Sequence, residues 1–458
     1  MGSKKEYLRN HINSAINTRC ERILTQPTKM INSILNRHTD PVHFDNIKLE
    51  NDIITDSPTI KEHIQSHFCQ WTAHNPYNQS IFQTDWQSEY RPASTILPSW
   101  YDIVLAEIST EEVTSTINQF SNNKACGPSG ISYEMLKHCG TKTILAITAL
   151  LNRCISLQQI PKQWKDSRIF PISKKAKFDG NLNNTRPISL IEHIKKLYTK
   201  ILTNRLNDTL SSYNILNPHN YVALPGNSTN SPIHILNNFI EDANCNQKEI
   251  WILSQDISKA YDSVNLNLLK KALYRLNMPS QLINIIINLL TDRSNRVITN
   301  FGLTKSYEVQ DGIDQGETIT PLLWRIYYDP LIHRIASRFP GYALSTKWQT
   351  DLHSHTNYHL QTSISVLAYM DDTLWISHSK EEMEHITSTA KSFYQMANLQ
   401  VNPNKSVFAT NSKPTTISFI NSTLKSIPTN EPFKYLGCWF TLNNKQSEQI
   451  KRIQQETY

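Results

Sequence analysis

The sequence lacks the features that mark secreted, membrane-spanning and zinc-binding proteins. A transmembrane helix needs roughly 20 apolar residues, but the densest apolar run, LINIIINLL at 282–290, is short and interrupted by asparagine. The N-terminus, MGSKKEYLRNHIN, has no apolar core of a signal peptide. The seven cysteines show no Cys-x-x-Cys spacing, which argues against a zinc module and a disulfide framework. We therefore expect an intracellular protein with reduced cysteines and no membrane contact.

The chain is long and apolar enough to build real hydrophobic cores. It has 458 residues, of which 39% are hydrophobic, enough for two or three domains. Its net charge is only +7, but residues 162–205 alone hold eleven lysines and arginines against three acids, a local net charge of +8. Such a concentrated positive charge favours a polyanionic partner such as nucleic acid.

Capping signals and apolar spacing predict an α+β fold. The segments DSRIFPIS at 166–173 and EIWILSQ at 249–255 have strand composition, and RVITNF with KSYEV at 296–309 suggests a hairpin. Helices are predicted where apolar residues recur every three or four positions after a cap. Their predicted starts are the box Ser109 to Glu112, the segment 191–206, a point near Ser263, Ser280, and the cap Ser379 with Glu382. Residues 1–100 have scattered helical spacing, at 31–35 and 60–68, and no motif.

Three aspartates stand where strands end. Asp256 follows the buried strand 249–255, and Asp371 with Asp372 lies between SISVLAY and TLWIS, the pattern of a hairpin with acids at its tip. If these strands are neighbours, the carboxylates converge without an obvious basic partner, and a hard divalent cation would offset their repulsion. Taken alone, an Asp-Asp pair is more often a solvated turn. The three aspartates therefore indicate a metal site only in combination with the other motifs of the sequence.

Seven motifs in fixed order resemble the fingers and palm of reverse transcriptases of non-LTR (LINE-like) retrotransposons. They run from about residue 111 to about residue 440: NNKACGPSGISYEMLK, NNTRPISLI, DISKAYDSV, GIDQGETITPLLW, AYMDD, NPNKSVF and KYLGCWF. The resemblance implies a right-hand polymerase fold, with an antiparallel palm sheet flanked by helices and helical, basic fingers. It implies an RNA-directed DNA polymerase acting on an RNA template, a DNA primer and deoxynucleoside triphosphates.

The resemblance also implies a set of metal ligands. Asp256 and Asp371 match the principal ligands of two Mg²⁺ ions, for which Mn²⁺ could substitute. Asp372 stands beside them, and the backbone carbonyl of Ile257 is a further oxygen. Tyr261 matches an aromatic ring under the sugar, where a 2′-hydroxyl would clash; the plain alternative is a core aromatic residue.

Further positions match residues that hold the nucleotide and the primer. Gln315 and Gly316 match a pair that lies along the incoming nucleotide, although this dipeptide is also an ordinary turn. Lys174 and Arg186 resemble cations that clamp the triphosphate, but the sequence does not separate Lys174 from Lys175. Lys405 matches a lysine that protonates the leaving pyrophosphate, or it is a surface lysine. The primer-grip hairpin corresponds to Tyr435, Leu436 and Gly437.

The chain also departs from this family. Met370 stands where the retrotransposon group more often has a small residue, and methionine at this position resembles the retroviral enzymes. Ser129 stands where aspartate is common. We expect a helical extension at 1–100, fingers at 101–248, and palm with interleaved fingers segments at 249–458, with the thumb largely absent. Two alternatives to the polymerase remain: a catalytically silent nucleic-acid-binding remnant, and an RNA-synthesising polymerase, against which Tyr261 argues. The oligomeric state is open.

Overall fold

The computed structural model describes residues 42–49, 52–175, 177–223, 226, 228–349 and 357–444. The helical spacing noted at 31–35 lies outside these residues. The helices are α1 Ser57–Trp71, α2 Gln79–Ile81, α3 Asp102–Leu105, α4 Thr110–Gln119, α5 Tyr133–Lys137, α6 Thr141–Leu157, α7 His193–Ser212, α8 Asn230–Cys245, α9 Leu266–Arg275, α10 Ser280–Leu290, α11 Thr320–Arg338 and α12 Lys380–Ala397.

The strands are short and spread over the whole described chain. They are β1 Ile47–Lys48, β2 Ile53–Ile54, β3 Asp166–Ser173, β4 Thr185–Leu190, β5 Trp251–Gln255, β6 Ile257–Ser258, β7 Arg293–Thr299, β8 Gly302–Leu303, β9 Tyr307–Val309, β10 Tyr342–Gln349, β11 Asn357–Ile364, β12 Val366–Tyr369, β13 Asp372–Ser377, β14 Gln400–Val401, β15 Val407–Thr410, β16 Thr416–Phe419, β17 Ser422–Ile427, β18 Phe433–Tyr435 and β19 Cys438–Phe440.

The central sheet, here called the palm sheet, has the order β12-β13-β5-β15-β17-β16. Side chains alternate between the two faces of a strand, and in this sheet both faces are covered by other elements. Trp375 packs into the core formed with α9, α11 and α12, whereas Leu374 and Ile376 pack with α8 and the β18–β19 hairpin. Burial on both faces explains why β13 reads as a continuous apolar run in the sequence.

A second sheet, here called the fingers sheet, has the order β4-β3-β7-β8, with β9 paired to β7. Helix α1 lies against it: Ile60, Ile64 and Phe68 are buried in one cluster with Val297 and Val309 of the sheet. The N-terminal residues 57–71 are therefore packed against the sheet that carries the basic segment.

Most of the predicted elements are confirmed, with three corrections. Ser109 and Ser379 cap α4 and α12 as expected, each accepting a hydrogen bond from the backbone three residues on. The palm sheet is not wholly antiparallel, because β15 and β17 pair in parallel. The helix expected near Ser263 begins at Leu266, and the long β10–β11 hairpin has no counterpart among the predictions. The division at residues 100 and 248 remains a prediction.

Candidate active site

The palm sheet places the three predicted aspartates together. Strands β13 and β5 are antiparallel, with Thr373 opposite Gln255, so the next step along this register puts Asp372 opposite Asp256. Neighbouring strands lie about 4.8 Å apart. Asp371 lies in the two-residue turn that β12 and β13 close, since Tyr369 pairs with Asp372.

The turn that carries Asp371 is held from the helix side of the sheet. Met370 has a φ of +58°, a left-handed conformation that two-residue hairpin turns commonly adopt. Its carbonyl oxygen accepts a 2.8 Å hydrogen bond from the indole N–H of Trp324, a fully buried residue of α11. The position of the acidic turn is therefore fixed by the core.

The electrostatics of the carboxylates match a site that attracts cations. Burial raises the pKa of Asp371, and the negative charge of Asp256 adds to the rise. Desolvation, with the charges of Asp371 and Asp256, raises the pKa of Asp372 to about 6. The expectation that the acids lack a basic partner is wrong for Asp256, because Lys405 Nζ lies 3.3 Å from its Oδ2.

Asp371, in the turn, and Asp372, at the start of β13, influence different tyrosines. The charge of Asp371 contributes to the raised pKa of Tyr261, after burial. The charge of Asp372 contributes in the same way to the raised pKa of Tyr435. The two acids therefore act on different neighbours, Asp371 on Tyr261 and Asp372 on Tyr435.

The donor set fits a hard cation that keeps some of its own ligands. Among the described residues, no group of three or more His, Cys, Asp and Glu side chains is arranged to hold a metal ion. Asp256 and Asp371 offer carboxylate oxygens, with the backbone of Ile257 beside them at the start of β6. Mg²⁺ is commonly bound by one or two carboxylates, with water and substrate phosphates completing its shell. These residues fit that pattern.

Four cations gather beside the acids. Burial lowers the pKa of Lys174, and the charges of Arg186, Lys405 and Lys259 lower it further, so these three cations lie near Lys174. Lys175 turns elsewhere, since its Nζ lies 2.6 Å from Asp179 Oδ2. Geometry thus separates two lysines that the sequence left equivalent, and it favours Lys174.

Tyr261 lies under the acidic turn. Its hydroxyl contacts the Met370 sulfur at 2.6 Å, and its ring meets Trp324 edge to face with centroids 6.0 Å apart. Burial is the main cause of its raised pKa. Because the ring is partly exposed beside Asp371, it is available to a ligand as well as to the core.

The Gln315–Gly316 turn docks on strand β4. The Ser189 N–H donates to the Gln315 carbonyl at 2.8 Å. Gly316 has a φ of +113°, and a Cβ there would lie 3.1 Å from the Ser189 carbonyl oxygen. Both the left-handed backbone and the close approach therefore require glycine.

A buried network of charged side chains holds the residues on either side of the Gln315–Gly316 turn. Arg293 Nη1 donates to Asp314 Oδ1 at 2.9 Å, and both residues are buried. Lys195 Nζ lies 3.9 Å from Asp314 and 3.7 Å from Glu317. Thr199 of α7 donates a 2.6 Å hydrogen bond to Glu317. The network ties the turn to helix α7 and strand β7.

The predicted primer-grip residues form a tight hairpin beside the palm sheet. Leu436 and Gly437 both have positive φ, +47° and +84°, as a type I′ turn requires. Tyr435 is 3% exposed, and its hydroxyl donates to the Leu367 carbonyl at 3.1 Å. The tyrosine therefore anchors the hairpin to β12, and the turn itself is the part open to a ligand.

Sequence reasoning missed three residues at this site: Trp71, Lys259 and Asp262. Asp262 Oδ2 accepts hydrogen bonds from Trp71 Nε1 at 2.9 Å and from Gln315 Nε2 at 3.1 Å. Asp262 and Lys259 stand within the motif DISKAYDSV, so their short distance from Asp256 in the sequence could have indicated that they belong to the site. Trp71 comes from a segment without a motif, and nothing in the sequence indicated its role.

The two sheets, the acidic hairpin and the facing cations define the palm and fingers of a right-hand nucleic-acid polymerase. A family model described as "Reverse transcriptase (RNA-dependent DNA polymerase)" matches residues 172–440, which is more than half of the chain. The chain belongs to the reverse transcriptase family.

Several curated relatives are named as transposon or retrotransposon polymerases. The chain is 26% identical over 246 residues to the probable RNA-directed DNA polymerase from transposon BS of Drosophila melanogaster, covering 54% of this chain and 27% of that protein. For the X-element polymerase of the same fly, the values are 28% identity, 49% and 25%. For the R2 Pol polyprotein of Popillia japonica, they are 25%, 62% and 39%. The chain thus spans about a quarter to two-fifths of the length of these relatives.

A solved telomerase structure resembles part of this chain at low similarity. The apo telomerase from Candida Tropicalis, truncated from its C-terminal domain, matches with a TM-score of 0.41 and 13% identity, over 66% of this chain and 60% of that one. Among the described residues of the present chain, no helix is long and apolar enough to cross a membrane.

Proposed function

We propose that this chain is the polymerase core of a non-LTR retrotransposon reverse transcriptase. It extends a DNA primer on an RNA template with deoxynucleoside triphosphates and uses two Mg²⁺ ions. The observation that carries the proposal is the position of Asp256 at the end of β5 and of Asp371 in the neighbouring β12–β13 turn, near Lys174, Arg186 and Lys405. Acids that bind cations, placed opposite cations that bind phosphates, suit the transfer of a phosphoryl group.

The residues divide the work by charge. Lys174 and Arg186 bind the triphosphate, whose negative charge relieves their mutual repulsion. Asp256 and Asp371 supply carboxylate oxygens for the metal ions, which when bound activate the primer 3′-hydroxyl and stabilise the leaving pyrophosphate. Lys405 Nζ lies 3.3 Å from Asp256 Oδ2; with the Asp256 carboxylate holding a metal ion, Lys405 would be free to give a proton to the pyrophosphate, and such assistance is worth about 10²–10⁴-fold in rate.

Primer extension with the intact chain tests the proposal. Wild-type protein, Asp371→Asn and the control Asp208→Asn, which removes an exposed carboxylate on α7, are given an RNA template, a DNA primer and Mg²⁺. We expect product from the wild type and the control, and a loss of at least a hundredfold for Asp371→Asn. Equal product from all three proteins would contradict the proposal.

The same assay separates the competing activities. Replacing deoxynucleotides with ribonucleotides should abolish extension by the wild type. Extension with ribonucleotides alone would instead indicate an RNA-synthesising polymerase. Salt-dependent binding of the template and primer without any incorporation would indicate a silent nucleic-acid-binding protein.

A further inference from the structure

Trp71 contacts three side chains of the candidate nucleotide site and, through one of them, is linked to a fourth. It is the last residue of α1, about a hundred residues before the segment that matches the family model. Lys259 Nζ lies 3.7 Å from the centroid of its ring, and Lys174 Nζ lies 5.7 Å from it. Two cations of the site therefore share one aromatic side chain.

The indole N–H makes the second connection. It donates to Asp262 Oδ2 at 2.9 Å, and the same oxygen accepts from Gln315 Nε2 at 3.1 Å. Burial raises the pKa of Asp262 to about 6, an effect that the hydrogen bond from Trp71 and the charge of Lys259 oppose. Trp71 thus helps to keep charged the carboxylate that orients the glutamine of the Gln315–Gly316 turn.

The location of the ring suits a repulsive cluster of cations. Burial lowers the pKa of Lys174, and the nearby positive charges of Arg186, Lys405 and Lys259 lower it further. An aromatic face attracts an ammonium group without neutralising its charge. The lysines are therefore held in place while their charge stays available to a triphosphate.

Trp71 is itself held firmly. Its ring stacks on Phe68 at 5.7 Å, within the buried cluster between α1 and the fingers sheet. Just after it, the Thr72 carbonyl accepts from Gln310 N at 3.0 Å, and Asn75 N donates to Asp311 Oδ2 at 2.8 Å. The segment 71–75 therefore holds in place the start of the loop that leads to Gln315.

We propose that Trp71 is a positioning residue of the nucleotide-binding site, which aims Lys174 and Lys259 at the triphosphate and locks the Asp262–Gln315 pair. A segment N-terminal to the family-matched region thereby completes the site for the incoming deoxynucleoside triphosphate. This inference rests on the proposed polymerase function.

Steady-state primer extension with Trp71→Leu and Trp71→Phe tests it, with nucleotide KM and kcat measured separately. Trp71→Leu removes the ring and the N–H, and we expect its nucleotide KM to rise about tenfold or more, with kcat changing less than threefold. Trp71→Phe keeps a ring, and we expect an intermediate KM. The dissociation constant for template and primer should not change in either variant.

Trp86→Leu is the matched control. Trp86 is also a buried tryptophan that precedes the family-matched region; its indole N–H bonds Ser392 Oγ at 3.0 Å, and Arg334 lies 4.3 Å from its ring. Because it packs against α11 and α12, its loss should lower the melting temperature without changing the nucleotide KM.

A second readout does not depend on turnover. This readout is the affinity for the nucleotide of the complex of protein, template and dideoxy-terminated primer. For Trp71→Leu, we expect this affinity to fall about tenfold. If the wild type incorporates nothing, the proposed function fails. If the wild type is active and Trp71→Leu matches Trp86→Leu in KM and nucleotide affinity, the inference about Trp71 is overturned while the function stands.

Discussion

Replacing Arg293 with methionine tests the buried support beneath the Gln315–Gly316 turn. Arg293 is 3% exposed, and its guanidinium donates to Asp314 Oδ1 at 2.9 Å and to the backbone carbonyls of Leu290 at 2.7 Å, Gly312 at 2.6 Å and Asp311 at 3.2 Å. Methionine fills most of the volume and makes none of these bonds. The variant leaves one buried carboxylate and three carbonyls with fewer partners.

The expected loss follows from the charge that remains. Removing one partner of a buried ion pair costs about 3–5 kcal/mol. Burial alone would raise the pKa of Asp314, whereas the charges of Arg293 and Lys195 hold it below its ordinary value. Since Lys195 still lies 3.9 Å away, we expect the lower end, about 3 kcal/mol of unfolding free energy.

Urea unfolding followed by tryptophan fluorescence measures this loss. The control is Arg296→Met on the same strand, where the arginine is exposed and the change should stay within about 0.5 kcal/mol. Adding Asp314→Asn to Arg293→Met should recover part of the loss, because the uncompensated charge is then gone. An Arg293→Met protein as stable as Arg296→Met would refute this reasoning.

Three further predictions concern the same region. Gly316→Ala should lower nucleotide incorporation at least tenfold, because the left-handed backbone and the 3.1 Å approach to Ser189 cannot hold a Cβ; a normal rate would contradict this. Burial lowers the pKa of His67 to about 4 from 6.5, so the folded state disfavours the protonated ring and stability should fall as pH drops below 6.5. We expect about 1 kcal/mol of loss between pH 6.5 and 5 after discounting for partial exposure, and His67→Gln should show a smaller pH dependence in urea titrations. Tyr261→Ala should raise ribonucleotide incorporation relative to deoxynucleotide incorporation in competition assays; an unchanged ratio would count against a ring under the sugar.

Local signals account for the parts of the fold that the sequence predicted. A cap such as Ser379 with Glu382, or two acids between apolar runs, specifies its structure within a few residues, so α12 and the β12–β13 hairpin were predictable. The start of α9 was not, because residues 259–264 are held by distant partners. Ile313 N donates to the Tyr261 carbonyl at 2.9 Å, and Gly312 N donates to the Val264 carbonyl at 2.8 Å.

Helix α11 illustrates a second limit. It is buried on nearly all sides, and Pro330 lies inside it, so it offers neither an amphipathic stripe nor an unbroken pattern of helix formers. The network of Arg293, Asp314, Lys195 and Glu317 joins residues far apart in sequence. Only a folded chain shows that these ordinary charges meet.

The carboxylates at the candidate site were predictable because their motifs are specific, whereas their partners were not. The sequence placed Asp256, Asp371 and Asp372 together, and the register of β5 and β13 agrees. It did not indicate that Lys405 contacts Asp256, or that Trp71 and Asp262 support Gln315, because side-chain contacts between separate segments leave no local pattern.

Anomalous diffraction from crystals grown with Mn²⁺, template, dideoxy-terminated primer and nucleotide tests the central claim most directly. We expect two manganese peaks about 3.5–4 Å apart, bonded to carboxylate oxygens of Asp256 and Asp371, with Lys405 moved away from Asp256. Manganese bound elsewhere, or a Lys405–Asp256 ion pair that persists with the nucleotide in place, would contradict the account.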